Sequence, residues 1–214
     1  MKNTDDLTGL LAAANFNDDL EQVIKTTLSE SGETSVVFLD IDHFLNFNNE
    51  FGHEAGDVVL KMIAECLKRC LPENSLIYRY SGDKYSVILP GCEKENAFVL
   101  IDRARGLFNP EGRLQTEIGE IISDISFSAG VASVPDDGTT VSDIVRKAEG
   151  ALFRAKRGNR NTVCLSRNER LITKTSHYTY EQLQRLSKLA KDEGVGEALL
   201  LREALDDLLM KYDK

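Results

Sequence analysis

An α+β fold, with helices laid against a mostly antiparallel sheet and a small strand–helix–helix tail behind it, is what the sequence predicts. Three observations carry that prediction. Strand-like and helix-like runs alternate through most of the chain, with a hairpin in the middle. One run, "TSVVFLDID", is almost continuously apolar, as a central strand covered on both faces requires. After "LSRNER" the alternation stops and two amphipathic helical patterns follow.

The elements come in order. Thr34 to Asp42 is the central strand, ending in two acids. A glycine-containing segment, "FGHEAGD", leads into "VVLKMIAECLKRC", where Val59, Met62, Ile63, Cys66, Leu67 and Cys70 recur at helical spacing. "SLIYRY" and "YSVILP" flank the turn "SGDK" as a hairpin. "EKENAFVLIDRARGLF" reads as a helix and "DISFSAGVASV" as a strand. "TTVSDIVRKAEGALFRAKRG" opens on Thr and Ser capping candidates and runs helical, and "NTVCLS" is a short last strand. In the tail, "LITKTSHYT" is strand-like. "YEQLQRLSKLAKDEG" places Leu183, Leu186, Leu189 and Ala190 on one face, with Gly194 as its stop. "EALLLREALDDLLMKY" is the last helix. Such a tail is too small to bury enough apolar surface alone, so it should pair with a copy of itself or dock on the first domain.

Composition narrows the classes. Of 214 residues 42% are hydrophobic and 29% charged, ordinary for a globular protein, and no apolar run suits a membrane span or a signal core. The expected location is the cytoplasm. A net charge of -9 argues against a nucleic-acid-coating protein. From Arg167 to Lys214, however, basic and acidic residues balance at nine each, so the acidity lies in the first module. Cys66 and Cys70 stand four apart on a helix, but no second pair or nearby histidine completes a zinc set. The cysteines are read as small buried hydrophobes in a reducing compartment.

Asp40 and Asp42 share one face of the strand end while it stays extended, and Asp83 sits at the hairpin turn. If the hairpin packs beside the strand, Asp40 and Asp83 meet at one sheet end and offer an oxygen site for Mg²⁺. The other reading is strand-end acids facing water. His43 and His53 are read as hydrogen-bonded structural histidines.

"DDLTGL", "LDIDHF", "NNEFGHEAGD", "RYSGDKY", "FSAGVA" and "ALFRAKRGNRN" follow one another as in the GGDEF family, the diguanylate cyclase fold of bacterial signalling. From about Asp5 to Leu165 the chain resembles that family. The resemblance implies the palm-like sheet of nucleotidyl cyclases flanked by helices. It also implies a homodimer in which each half-site presents one GTP, a 3′-hydroxyl attacks an α-phosphate under Mg²⁺, and cyclic di-GMP results. Carried over by position, Asp40 and Asp83 resemble the metal ligands. Asn48 and Asp57 resemble the guanine-reading pair, whose amide and acid suit guanine's edge. Lys156 and Arg160 resemble the cations that hold the triphosphate, and Gly82 lets backbone approach the nucleotide.

The signature turn departs from the pattern, reading Ser81, Gly82, Asp83, Lys84, Tyr85. Tyr for Phe is mild, while Ser for the first Gly adds a side chain where phosphate approaches. Lys84 stands where the family has a Glu tied to metal handling and hydroxyl deprotonation, and an ammonium does neither. At ~4 Å from Mg²⁺ it would be repelled by roughly 8 kcal/mol at an effective dielectric near 20, an upper bound. Turned toward phosphate, it would stand in for part of the metal's charge. Leu45, Asn49, Ala12 and Ala13 are further departures, and the family's product-inhibition Arg and Asp fall on Pro72 and Ser75. No intact catalytic set is expected. With no sensory module before "DDLTGL", the expected inputs are the nucleotide, the tail or a partner.

"KTSHYTYEQLQRLSKLAKDEGVGEALLLREALDDLLMKY" resembles a ribbon-helix-helix module, over about Thr173 to Tyr212. That resemblance implies a dimer whose paired strands enter the major groove. Thr179 would cap the first helix. Ser176 and Tyr178 would face the core, and Thr173, Thr175 and His177 the DNA. Glu197 at the next helix start would repel a phosphate, so a dimerisation clamp without DNA is the other reading. The expectation is a degenerate GGDEF domain over 1–166, binding a guanine nucleotide, joined to a ribbon-helix-helix module over 171–214. The alternatives are an active Mg²⁺-dependent cyclase with an altered signature and a structural dimer without nucleotide.

Overall fold

A computed structural model describes residues 3–109, 111–116, 119–167, 175–193 and 196–212. The chain divides into two compact units, Met1–Asn168 and Glu169–Lys214.

The first unit is built on a six-stranded sheet in the order β1-β3-β4-β2-β7-β8. These strands are β1 (Leu11–Ala12), β2 (Thr34–Ile41), β3 (Leu76–Ser81), β4 (Lys84–Pro90), β7 (Phe127–Val134) and β8 (Val163–Leu165). The three central pairings, β3·β4, β4·β2 and β2·β7, are antiparallel, and both edge pairings are parallel. Every residue of β2 is buried, as its near-continuous apolar run requires.

Side chains alternate across β2, so two separate cores form. Val37, Leu39 and Ile41 face a layer made by α2 (Phe44–Phe51), α3 (His53–Cys70) and α4 (Lys94–Phe108). Val36 and Phe38 face α1 (Phe16–Ser29) and α5 (Val141–Arg157). On α1, Phe16, Leu20 and Ile24 recur every fourth residue on the buried stripe. Phe16 meets Phe38, Tyr78 and Tyr80 edge-on, with ring centroids 5.3 to 5.6 Å apart. On α5 the buried side chains are mostly small, which lets the helix lie close on β7. A Cβ at Gly130 would stand 2.0 Å from the Leu152 backbone nitrogen and 2.2 Å from the Ala148 carbonyl. Thr140 caps α5, accepting from the Asp143 N–H at 3.2 Å.

Some elements differ from the expectation. The helical layer after β2 begins at Phe44, not at Val58, and breaks at Gly52 into two helices. A small hairpin, β5 (Arg113–Thr116) with β6 (Gly119–Ile122), stands apart from the main sheet. Its strands bury only Leu114 and Ile121 among their described side chains. The cysteines are half-buried and free rather than fully buried. Burial, reinforced by Cys70, pushes the Cys66 thiol up to about 12, so it stays protonated and donates to the Ala104 carbonyl. Among the described residues no helix is long and apolar enough to cross a membrane.

The second unit holds α6 (Tyr180–Glu193) and α7 (Glu197–Tyr212). Thr179 begins α6 as expected. Its hydroxyl accepts from the Gln182 N–H at 3.2 Å while its own N–H donates to Gln182 Oε1 at 2.9 Å, a reciprocal cap. Ser187 on α6 donates to Glu197 at the start of α7. Residues 175–179 form no strand in the single chain, and Ser176 and Tyr178 are exposed there alongside Thr175 and His177. Thr173, residues 171–174 of the expected strand, and Gly194 lie outside the described residues.

Two buried polar contacts generate tests. Lys94 and Asp137 form an ion pair at 2.9 Å, almost wholly out of solvent, and Ser166 and the Ser133 N–H also donate to Asp137. Burial opposes ionisation of Asp137, but these hydrogen bonds and the Lys94 charge outweigh it and hold the carboxyl below its ordinary 3.8. Its folded value is depressed, so its contribution to stability is complete above 3.8 and drains away as pH falls through the lower folded value. Asp137→Asn strands the Lys94 charge and should cost about 3–5 kcal/mol in urea denaturation near neutral pH. It should also flatten the acid limb of the profile; parallel acid limbs in the two proteins would place that loss elsewhere. Tyr85, fully buried, donates to the Leu60 carbonyl at 2.9 Å. Tyr85→Phe should therefore cost about 0.5–1.5 kcal/mol by the same measurement.

Candidate functional site

The strand register builds the site. Asp40, near the end of β2, lies opposite Lys84, the first residue of β4, so both side chains share one face of the sheet. That face is the one α5 covers. Lys156, in the last turn of α5, reaches down to make an ion pair with Asp40 Oδ1. Asp83 follows Gly82 in the two-residue turn, and its carbonyl accepts from the Ile41 N–H at 3.3 Å. The turn thus lies against the end of β2, with Asp83 within electrostatic reach of Asp40.

Electrostatics at this end are crowded. Burial pushes the Asp40 carboxyl above the usual range, against the pull of Lys156; Asp83 adds to the push and Lys84 opposes it. Glu149, half-buried on α5, is likewise pushed up by burial and favoured in its charged form by Lys84. Glu149 also raises the Tyr80 hydroxyl, which burial already shifts upward. Sequence reasoning overlooked Glu149. The signal was its place seven residues before Lys156, two helical turns along the same face.

The turn itself is held from behind. Arg79 Nε donates to the Gly82 carbonyl at 3.0 Å, and Arg79 Nη1 reaches both Asp5 oxygens at 3.2 Å. Asp5 also accepts from the Thr8 N–H and hydroxyl at 2.9 and 2.7 Å. "DDLTGL" and "RYSGDKY" are thereby one structure. Gly82 has φ 52°, and a Cβ there would meet nothing within 4 Å, so the turn needs glycine for its backbone angle. Ser81 beside it is exposed.

Asp42 has a different role. Both acids at the strand end are buried, 4% exposed for Asp40 and 3% for Asp42, which overturns the reading of solvent-facing acids. Asp42 accepts from Ser126 and Ser128 hydroxyls at 2.9 and 2.8 Å and from the Asn161 N–H at 3.0 Å. It ties β7 to the loop after α5, where Arg160 and Asn161 hold φ of 52° and 44°. Arg160 is exposed on that loop.

Asn48 and Asp57 come together where α2 meets α3. Asn48 packs so closely on Gly56 that a Cβ there would lie 2.0 Å from Asn48 Oδ1. That oxygen is buried with no hydrogen-bond partner, an acceptor waiting for a donor. Asp57, the next residue, is exposed. His43 and His53 are exposed too, and His43 holds φ 57° at the start of α2. Leu45 is 70% exposed.

Asp40 and Asp83 are chemically able to hold Mg²⁺, but their setting does not fit it. Asp40 already faces the Lys156 ammonium, and the position opposite it in register carries a second ammonium, Lys84. Among the described residues no three acid, His or Cys side chains gather in a metal-binding group.

With this geometry in hand, comparison with known proteins is informative. Residues 2–162 match the family described as "Diguanylate cyclase, GGDEF domain". Diguanylate cyclase DgcP of Pseudomonas aeruginosa is 36% identical over 164 residues, 74% of this chain and 23% of that protein. Diguanylate cyclase A of Treponema denticola is 33% identical over 146 residues, 66% of this chain and 38% of that protein. The match thus spans well under half the length of these relatives. The crystal structure of the GGDEF domain of DgcB from Caulobacter crescentus, in complex with c-di-GMP, superposes with a TM-score of 0.70 at 27% identity, covering 76% of this chain and 92% of that one. The family match covers most of the chain, and the chain belongs to the GGDEF, or diguanylate cyclase, family.

Proposed function

We propose that this chain is a guanine-nucleotide-binding regulator whose GGDEF domain holds nucleotide without joining two of them. The observation that carries the reading is Lys84 opposite Asp40. Attack by a 3′-hydroxyl requires an acceptor for its proton, and an ammonium has no lone pair to accept one. The binding residues are retained. Asn48 offers its orphaned buried oxygen to a guanine N–H, and Asp57 beside it adds an acceptor. Gly82 and the turn would take the phosphates, with Lys156 and Arg160 as their cations.

The tail makes a cytoplasmic homodimer in this reading, as a ribbon-helix-helix module. Its support is the Thr179 cap, the helix pair α6 and α7, and apolar side chains left exposed at Leu205, Leu208 and Leu209. The strand around residues 171–177 would pair only with its copy, which accounts for the absence of strand over 175–179 in one chain. Thr173, Thr175 and His177 would then meet DNA. Dimerisation would hold two nucleotide domains at high effective concentration.

A working Mg²⁺-dependent cyclase is the second reading. It is favoured by Asp83 lying within electrostatic reach of Asp40 and by relatives named as diguanylate cyclases.

Purified protein incubated with GTP and Mg²⁺ should yield no cyclic dinucleotide by chromatography, whereas product at turnover rates would establish the cyclase. GTP at a hundred times its Kd should stabilise the fold by about 2.7 kcal/mol in denaturation. Asp57→Ala should weaken binding by about tenfold or more, as loss of one charged hydrogen bond implies. An unaltered stability curve at saturating GTP would leave only a structural dimer. Leu205→Asp with Leu209→Asp should turn the dimer into monomer by light scattering. A salt-steep shift of promoter DNA by the intact dimer would establish the DNA contact.

A further inference from the structure

We propose that Lys84 replaces the divalent cation in this site, so that the guanine nucleotide binds with its phosphates on protein ammonium groups and needs no Mg²⁺. The inference rests on the nucleotide-binding reading above and adds to it how the phosphate charge is met.

Three observations converge. Register places Lys84 directly across from Asp40, on the sheet face that α5 covers, beside the carboxylate a metal would need. Lys156 already makes the ion pair that such a metal would make with Asp40. Glu149 on α5 is half-buried within electrostatic reach of Lys84, giving that ammonium an anionic neighbour on the helix side as well as on the sheet side. Asp40 and Glu149 thus each have an ammonium group as neighbour.

The charge change is telling. Exchanging a glutamate for a lysine at one position shifts the local charge by the amount one divalent ion carries. A site with a carboxylate at 84 would concentrate Asp40, Asp83, Glu149 and that carboxylate, and would require an ion before a triphosphate could approach. With Lys84 present the requirement disappears, and a further cation is repelled. A lysine suits this task as a point charge on a flexible stem, able to follow a phosphate oxygen. Arg160, exposed on the loop tied down by Asp42, is a further cation for the phosphates in this reading.

The test is titration of the full-length protein with a fluorescent GTP analogue, in excess EDTA and in excess Mg²⁺. Wild type should give the same Kd within about threefold in both, and Mn²⁺ titrated alone should show no site by electron paramagnetic resonance. Lys84→Glu should bind the analogue about tenfold or more weakly in EDTA, regain affinity with Mg²⁺, and acquire a Mn²⁺ signal. Lys84→Met, which keeps length and removes charge, should lose affinity in EDTA; unchanged affinity there would overturn the proposal even if Lys84→Glu does not fold. Wild-type binding that appears only with Mg²⁺ would overturn it while leaving the nucleotide-binding reading intact. Absence of binding by folded wild type in both conditions would overturn both.

Discussion

The pairing of β2 with β4 decides which side chains in this molecule share a space. Asp40 faces Lys84, Leu39 faces Tyr85 and Phe38 faces Ser86, and β7 holds β2 equally firmly from the other side. A slip of one residue would turn every side chain of β2 to the opposite core. Both cores oppose that slip, since each takes alternate residues of a strand with no solvent-facing side. The chemistry at the sheet end is therefore fixed by hydrophobic packing well behind it.

The same constraint leaves the shape of the hairpin turn independent of the side chain at 84. The turn is set by the Gly82 backbone, by Arg79 gripping its carbonyl, and by Asp5 gripping Arg79. None of these contacts uses the side chain at 84. Tyr85, the next residue, points into the other core and bonds the Leu60 carbonyl. The charge at position 84 can thus vary while the hairpin stays in place, acting through the electrostatics around Asp40 and Glu149.

Much of this was legible in the sequence because it depends on short-range order. The apolar run of β2, the turn between β3 and β4, and the helical stripe of α3 follow from period and composition. The approach of Asp40 to Asp83 follows from hairpin placement. Other features depend on contacts that no local pattern records. Asp42 shares the parity of Asp40, but spacing gives a face and not a partner, and its partners lie 84 to 119 residues away. Glu149 gains meaning only once α5 is laid over β4. The hairpin of β5 and β6 has strands of four residues with hardly any alternation, too short for a periodic signal. In the tail, the helices and the Thr179 cap follow from the sequence, whereas the strand expected before them has no counterpart over residues 175–179.

Asp42 carries a consequence beyond anchoring. One carboxylate receives two hydroxyls from around β7 and a backbone N–H from Asn161, so the loop bearing Arg160 is ordered when the sheet forms. Its two left-handed residues, neither of them glycine, would otherwise relax toward commoner backbone angles. The entropy of fixing that loop is lost during folding and not at the moment of association. Were the loop to receive an anion, as the proposed function has it, little of the affinity would be spent on ordering the chain.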